Sequence, residues 1–419
     1  MSIYTLHGSN PAEIVTPTTP EALAETLRDA VARKLAVVPW GGGTRQHLGA
    51  PPSAYDVALA TAQLNRISAY DPAAMQITVE AGVTLASIQA TLAPHGQWLP
   101  WNPPLPERAS VGGLLASGAV GLLCLSYGCP RRWTLGLRVA LGDGRLVQSD
   151  DLVSKTFSGY DTHRLHIGAL GTLGVIVEAT FRVQPLPEHR QTLLASFTDG
   201  YMPAQAIAAL RAAPLQPSAI VVLNQSAEAT LPALHTFLTG QPIHFVVVAR
   251  YAGTAAAVSR QIREATRRCV AVGARTIELC EADDETLWAA IANFTAPAED
   301  GSICLRAAAP EGALTPVAAL MERTATARGW QPQQLGVAGP GLFFSRWPVA
   351  DVSPAAVADA LAEVRAGMDA LGGYVVVEEA APTLRLDRWG PEPEGAAIMR
   401  TLRANWDPVG ILNPGRYVM

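Results

Sequence analysis

Ala36-Val37-Val38-Pro39-Trp40-Gly41-Gly42-Gly43-Thr44 is the stretch on which the reading of this chain turns. A short apolar run closed by a glycine cluster reads as a buried strand. The three glycines then set unhindered backbone N–H groups side by side, a nest able to hold an anionic pyrophosphate. An ordinary glycine-rich turn has the same composition, so the motif alone leaves both readings open. Its spacing fits neither GxGxxG nor GxxxxGK[ST], which disfavours a Rossmann NAD site and a P-loop.

Outward from this stretch, strands and helices alternate as in an α/β or α+β domain. Residues 21–34 carry Leu23, Leu27, Ala30 and Val31 at helical spacing, with Thr19 as N-cap and Pro20 in the first turn. Residues 76–80 read as a strand and 84–92 as a helix. A hairpin is expected over 137–149 around Gly142-Asp143-Gly144, then a strand over 175–184 that stops at Pro185-Leu186-Pro187. From His189 to Ala381, Ala-rich helices (202–212, 254–272, 353–371) alternate with strands (219–223, 244–249, 374–377), and no internal repeat is visible. A last amphipathic helix over 396–406 leads into Asp407-Pro408 and Asn413-Pro414-Gly415-Arg416. The expected organisation is α+β: a domain over 1–188, a ferredoxin-like lid over 189–381 and a return to the first domain over 382–419.

Composition narrows the function. The 419 residues are 49% hydrophobic and 16% charged, a globular balance, and the net charge of -5 gives no basic field for nucleic acid. Cys124, Cys129, Cys269, Cys280 and Cys304 are odd in number and lack a CxxC pair. They read as reduced cytosolic thiols and not as disulfides, a zinc site or an iron-sulfur cluster. The N-terminus has no signal-peptide pattern. The uncharged run 109–130 imitates a membrane span in length, but its many small residues read better as a loop pressed against a ligand.

Further glycine sites strengthen the nest: Ser110, Gly112 and Gly113 with Gly118, Gly159 to Asp161, and Gly168 to Gly174 with Gly171 between them. Several such loops in one domain permit close approach to one extended ligand.

In this order, Pro39 to Thr44, Ala109 to Gly113, Lys155 with Ser158 to Asp161, Gly171 to Ile176 and Asp407 to Arg416 resemble the signatures of the vanillyl-alcohol-oxidase, or PCMH-type, FAD flavoproteins. The resemblance spans most of the chain and implies a two-subdomain FAD-binding domain under a lid. It assigns Gly41, Gly42, Gly43, Thr44, Ser110, Gly112, Gly113, Gly118, Gly171, Gly174 and Ile176 to FAD, and places Asn413 near the isoalloxazine. Thr44 stands where the family's attaching histidine falls, and no cysteine precedes Ser110, so noncovalent FAD is expected. Within the family the chain is most similar to FAD-binding subunits of bacterial glycolate oxidase. That implies oxidation of a small 2-hydroxy acid, a larger flavoprotein subunit and an iron-sulfur subunit as partners, and a cytoplasmic place, peripheral to the membrane through such a complex. A relay or assembly subunit, or a stand-alone oxidase or dehydrogenase of another alcohol, stands beside it.

The chain also departs from the pattern. Thr156 and Phe157 follow Lys155, and Arg132 stands where an Asp is common. In the lid, Val337 and Phe344 occupy the positions at which catalytic relatives carry histidines, and Val377-Glu378-Glu379-Ala380 lacks the later one. Oxidation of a hydroxy acid needs a group to take the hydroxyl proton, and imidazole suits that task. No catalytic base is therefore assigned. The eight histidines form no HxH or HExxH set, so no metal is expected, and most of them read as surface or loop residues. Arg306, Arg346 and Arg388 are candidate anchors for a substrate carboxylate, although a salt bridge is the commoner role of any one arginine.

Overall fold

The computed structural model describes residues 3–149, 161–200, 202–234, 244–298, 301–310 and 312–417. The chain divides into two compact units. The first comprises Met1–Val120, Gly128–Leu186 and Asp387–Met419, and the second Gly121–Tyr127 and Pro187–Leu386. The sequence edges at 188 and 381 compare with divisions after Leu186 and Leu386. Assignment of Gly121–Tyr127 to the second unit has no counterpart in the sequence reading, which treats 109–130 as one run. That run contains two short helices, Val111–Ala116 and Cys124–Tyr127. Among the described residues no helix is long and apolar enough to cross a membrane.

The first unit has two principal sheets. Strands β1 (Glu13–Val15), β3 (Val57–Ala60) and β2 (Val37–Trp40) form a parallel sheet in that order. The helix Pro20–Arg33 supplies the crossover between β1 and β2. It begins where Thr19 accepts a hydrogen bond from Ala22 N at 3.1 Å and ends at Lys34 in a left-handed conformation. Its Leu23 and Leu27 pack with Val37, Leu59, Val175, Ile411 and Leu412. The second sheet is antiparallel, in the order β4 (Ile67–Asp71), β5 (Gln76–Glu80), β9 (Val175–Arg182), β7 (Thr134–Ala140), β8 (Leu146–Gln148). Strand β6 (Gln97–Trp98) pairs with β10 (Gln184–Pro185).

The second unit contains a repeat that the sequence reading misses. Strand β11 (His189–Phe197), helix Met202–Ala212, strands β12 (Pro217–Asn224) and β13 (Phe245–Gly253), helix Ala255–Ala271 and β14 (Thr276–Cys280) form one βαββαβ unit. Strand β15 (Ile303–Ala308), helix Leu314–Thr326, strands β16 (Gln333–Val337) and β17 (Leu342–Trp347), helix Pro354–Ala370 and β18 (Tyr374–Glu379) form another. The eight-stranded sheet runs β14-β11-β13-β12-β16-β17-β15-β18, so the two ferredoxin-like halves join through their second strands. Each half buries its own helices against its own strands, around Leu193, Val247 and Ile262 in one and Leu305, Phe343 and Val364 in the other. The repeat lies in the order of elements.

Candidate functional site

Strand β2 delivers the glycine nest. It is an edge strand of the parallel sheet, which is why Pro39, with no N–H to donate, is tolerated within it. Its free side is taken by the C-terminal segment: Val37 N donates to Ile411 O at 2.8 Å and Asn413 N donates to Val37 O at 2.9 Å. The strand closes when Thr61 N donates to Trp40 O at 2.8 Å, and the chain then turns through Gly41, Gly42 and Gly43.

The nest lies flat on the loop before the Val111–Ala116 helix. Gly42 N donates to Ser110 Oγ at 3.2 Å. A Cβ on Gly42 would stand 1.6 Å from Arg108 O, so only glycine fits. That loop is pinned in turn, Val111 N donating to Val83 O at 2.9 Å and Gly112 N to Ala81 O at 2.8 Å. Gly171 (φ 69°) turns the opposite wall, where Asn413 Nδ2 donates to Leu170 O at 2.5 Å.

These pieces line an open cavity within the first unit. Of the residues assigned from sequence, Gly41, Gly42, Gly43, Thr44, Ser110, Gly112, Gly113, Gly171, Gly174, Ile176 and Asn413 line it. Gly118 does not. It has a φ of 61° in the turn after the Val111–Ala116 helix, and a Cβ on it would lie 3.1 Å from Gly168 Cα, a close backbone crossing that explains the glycine without a ligand. Lys155 and Ser158 to Tyr160 lie outside the described residues. Asp161 pairs with Arg164 at 2.8 Å.

The wall also contains Trp40, Arg45, Gln46, Thr61, Leu170 and Arg416, to which the sequence reading gives no role. The signal for Arg416 was present: it closes the Asn413-Pro414-Gly415 motif.

The polar groups left over fit a dinucleotide. The N–H groups of Gly41, Gly43 and Thr44 have no hydrogen-bond partner among the described residues. Asn413 Oδ1 and Arg416 Nε are likewise buried without one. Gly41 and Gly43 are half-buried and Thr44 is buried in the cavity wall, so their N–H groups are donors that a polar ligand could use. Burial brings the Arg416 guanidinium down to about 10 despite the favourable Tyr55 phenol, and Arg388 adds to the effect. Burial likewise lowers His7 to about 4, with Arg388 and Arg416 contributing.

The three candidate anchor arginines have different surroundings. Arg306 on β15 forms an ion pair with Glu378 on β18 and keeps a side-chain exposure of 22%. Arg346 on β17 is buried, with Nη1 on Ser302 Oγ and Glu379 Oε2, both at 3.0 Å, and Nη2 on Ala296 O at 2.9 Å. Arg388 belongs to the first unit, buried near His7 and Arg416. Val337 and Phe344 are buried, Phe344 facing Leu335 across the β16–β17 pair. Among the histidines, His163 and His166 are both buried, at the two ends of the short helix His163–His166.

Two family models match the chain: an FAD binding domain over residues 11–150 and the C-terminal domain of FAD linked oxidases over residues 389–417. The chain is 25% identical over 427 residues to glycolate oxidase subunit GlcD of Bacillus subtilis, covering 98% of this chain and 89% of that protein. It is 35% identical over 170 residues to glycolate oxidase subunit GlcE of Escherichia coli, covering 40% of this chain and 47% of that protein. Among solved structures, p-cresol methylhydroxylase with substrate bound superposes with a TM-score of 0.75 at 17% identity, covering 98% of this chain and 90% of that one.

Proposed function

This chain is an FAD-linked oxidoreductase with the p-cresol methylhydroxylase fold, and from that premise we propose that it serves the oxidation of a small 2-hydroxy acid to the 2-oxo acid, as the FAD-carrying subunit of a glycolate oxidase-like complex. The observation that carries this reading is the similarity to two glycolate oxidase subunits, one of them across 98% of the chain. When bound, FAD supplies the acceptor for the two electrons of the substrate's C–H bond.

The protein's own residues supply the binding. The nest at Gly41 to Thr44, with Ser110, Gly112 and Gly113 beneath it, holds the pyrophosphate on backbone donors. Asn413, fixed by Val37 and Leu170, would stand near the ring end of the ligand. Thr44 offers no nitrogen for attachment, so FAD is held noncovalently. Among the three arginines, Arg306 is the favoured carboxylate anchor, because it keeps exposed surface while Arg346 is saturated by its own neighbours. The larger flavoprotein subunit and the iron-sulfur subunit of such a complex are the proposed partners.

A second reading, a relay subunit whose FAD does not meet substrate, is favoured by one observation. Val337 and Phe344 are apolar and buried, and Glu378 and Glu379 are engaged by Arg306 and Arg346, which leaves no imidazole at those positions. Anaerobic mixing of the holoprotein with glycolate and with D-lactate, following flavin absorbance, separates the two. Bleaching by either acid at a catalytic rate supports oxidation on this chain. Bleaching only when co-purified partners are present supports the relay, and none in either case sinks the 2-hydroxy acid reading.

A further inference from the structure

The two halves of the second unit share one buried helix register and differ in what they expose. The helix Ala255–Ala271 buries Val258, Ile262, Ala265 and Cys269, and the helix Pro354–Ala370 buries Val357, Leu361, Val364 and Met368 at the same spacing. Aligned on those residues, Arg260 falls where Asp359 does, Arg263 where Ala362 does and Val270 where Asp369 does, and all six are exposed. The first helix carries four arginines against one glutamate, the second three carboxylates against one arginine. Glu264 is engaged by Arg268 at 2.8 Å and Glu363 by Arg328 at 3.0 Å. Among the described residues Arg260, Arg263, Asp359 and Asp369 make no ion pair. Water serves a single exposed charge well. Opposite signs at equivalent positions of one repeat are a pattern that a partner can read.

Both helices lie on the same face of the eight-stranded sheet. Across its middle, Val222 pairs with Gly336 and Gly336 with Phe343, and Val222 and Phe343 belong to the apolar clusters under the first and second helix pairs. The basic helix packs on β11 and β13, toward the β14 edge, and the acidic helix on β18 at the opposite edge. Between them the helices Met202–Ala212 and Leu314–Thr326 flank a groove lined by Pro203, Ala204, Ile207, Leu314 and Ala318. The face therefore has an apolar centre, a basic flank and an acidic flank. Helices of 17 residues are about 25 Å long, and four side by side at about 9 Å make a face of roughly 900 Å², near the ~800 Å² per partner of a stable interface.

We propose that this helix-bearing face is a homodimer interface, its occupant a second copy of this chain turned about a two-fold axis that runs along the groove. Such an axis carries the basic flank of each copy onto the acidic flank of the other, so one interface neutralises both flanks twice. An axis across the helices would set basic on basic and acidic on acidic, which is repulsive. The two grooves meet at the axis, where apolar surface is buried inside a charged rim. A uniformly acidic or basic partner would match one flank and be repelled by the other, so charge selects a second copy.

The test is sedimentation velocity of the full-length holoprotein. The parent sediments as a dimer at about 0.05 M salt and dissociates toward monomer at about 1 M, where the screening length falls to about 3 Å. Arg260→Glu with Arg263→Glu, and separately Asp359→Arg with Asp369→Arg, each weaken the dimer about 100-fold or more. All four substitutions in one chain exchange the flanks and bring dimer affinity back to within about tenfold of the parent. The four positions are exposed, so melting temperatures hold. If one double variant does not fold, the other decides together with the salt dependence. A parent that is monomeric at low salt, a dimer that neither reversal weakens, or a mass that grows past the dimer as in a head-to-tail chain overturns the proposal. So does a folded four-substitution variant that stays monomeric.

Discussion

The imidazole of His166 lies nearly flat against the indole of Trp406, with ring centroids 5.0 Å apart and planes inclined by 15°. The stack joins the short helix His163–His166 to the end of the C-terminal helix Ala396–Trp406 within the first unit. Burial holds His166 down at about 4, with His163 adding to the effect. In the unfolded chain the imidazole titrates near 6.5. Between those values the unfolded chain takes up a proton that the folded one refuses. The stability is therefore full above pH 6.5 and is lost progressively as the pH falls toward 4. The loss attributable to this one group is on the order of 3 kcal/mol. Thermal melts of the parent and of His166→Phe across that window check it. An identical slope in the two proteins would show that the titrating group lies elsewhere.

Gly42 and Gly113 both line the cavity, yet substitutions there separate different things. A Cβ on Gly42 meets backbone, Arg108 O at 1.6 Å, so Gly42→Ala forces the 108–110 loop aside. We expect about 3 kcal/mol or more of lost stability, with FAD binding lost as a consequence. A Cβ on Gly113 meets only Ser110 Oγ, at 3.1 Å, and otherwise faces open space. Gly113→Ala should leave the melting temperature of the apoprotein nearly unchanged and weaken FAD about tenfold, or ~1.4 kcal/mol. FAD titration beside apoprotein melts gives both numbers, and normal FAD affinity in Gly113→Ala means the ligand does not reach this wall.

Part of this site was legible because its physics is local. A strand that ends in Gly41-Gly42-Gly43 must expose donors, and Thr19-Pro20 before an apolar period starts a helix, wherever the chain later packs. Asn413 was legible through its motif, although its anchoring by Val37 and Leu170 is tertiary. What sequence could not convey was pairing at a distance. Arg346 resembles any other candidate anchor until Glu379, Ser302 and Ala296 are seen around it. Gly118 resembles a ligand glycine until Gly168 is found crossing it. The duplicated βαββαβ order was hidden for the same reason, because sheet neighbours such as β12 and β16 are far apart in the chain.

The ion pairs of Arg306 and Arg346 lead to opposite kinetic expectations. Arg346→Met strands Glu379, whose side chain is 11% exposed, and should cost about 3–5 kcal/mol of stability. Its conservative change Arg346→Lys should leave KM for a hydroxy acid nearly unaltered. Arg306→Lys keeps a cation beside Glu378 but loses the planar fork, and should raise KM about tenfold with kcat little changed. Steady-state assays of the complex and denaturant melts of each variant provide the comparison. A raised KM in Arg346→Lys with a normal one in Arg306→Lys would reverse the assignment of the carboxylate anchor.

Asp407 sets the position of both Asn413 and Arg416 without lining the cavity. Its carboxylate is buried and accepts three backbone N–H groups: Gly410 at 3.1 Å and Ile411 at 3.0 Å on Oδ1, and Leu412 at 2.8 Å on Oδ2. Those bonds bend the chain so that Ile411 and Asn413 can bracket Val37 of β2. Gly142 packs against this carboxylate so closely that a Cβ there would stand 2.5 Å from Oδ1. Asp407→Ala leaves three donors without their acceptor and should destabilise the protein by about 3 kcal/mol. Asp407→Asn keeps the acceptor for Gly410 and Ile411 but turns an N–H₂ toward Leu412 N, so it should fall between the Ala variant and the parent. Because the turn carries Asn413 and Arg416, FAD affinity should drop in the same rank order, by about tenfold or more for Ala, equivalent to ~1.4 kcal/mol. Melts of the apoprotein and FAD titrations on the same samples test the coupling. Destabilised variants that still bind FAD as tightly as the parent would mean that this turn supports the fold and leaves the cofactor site untouched.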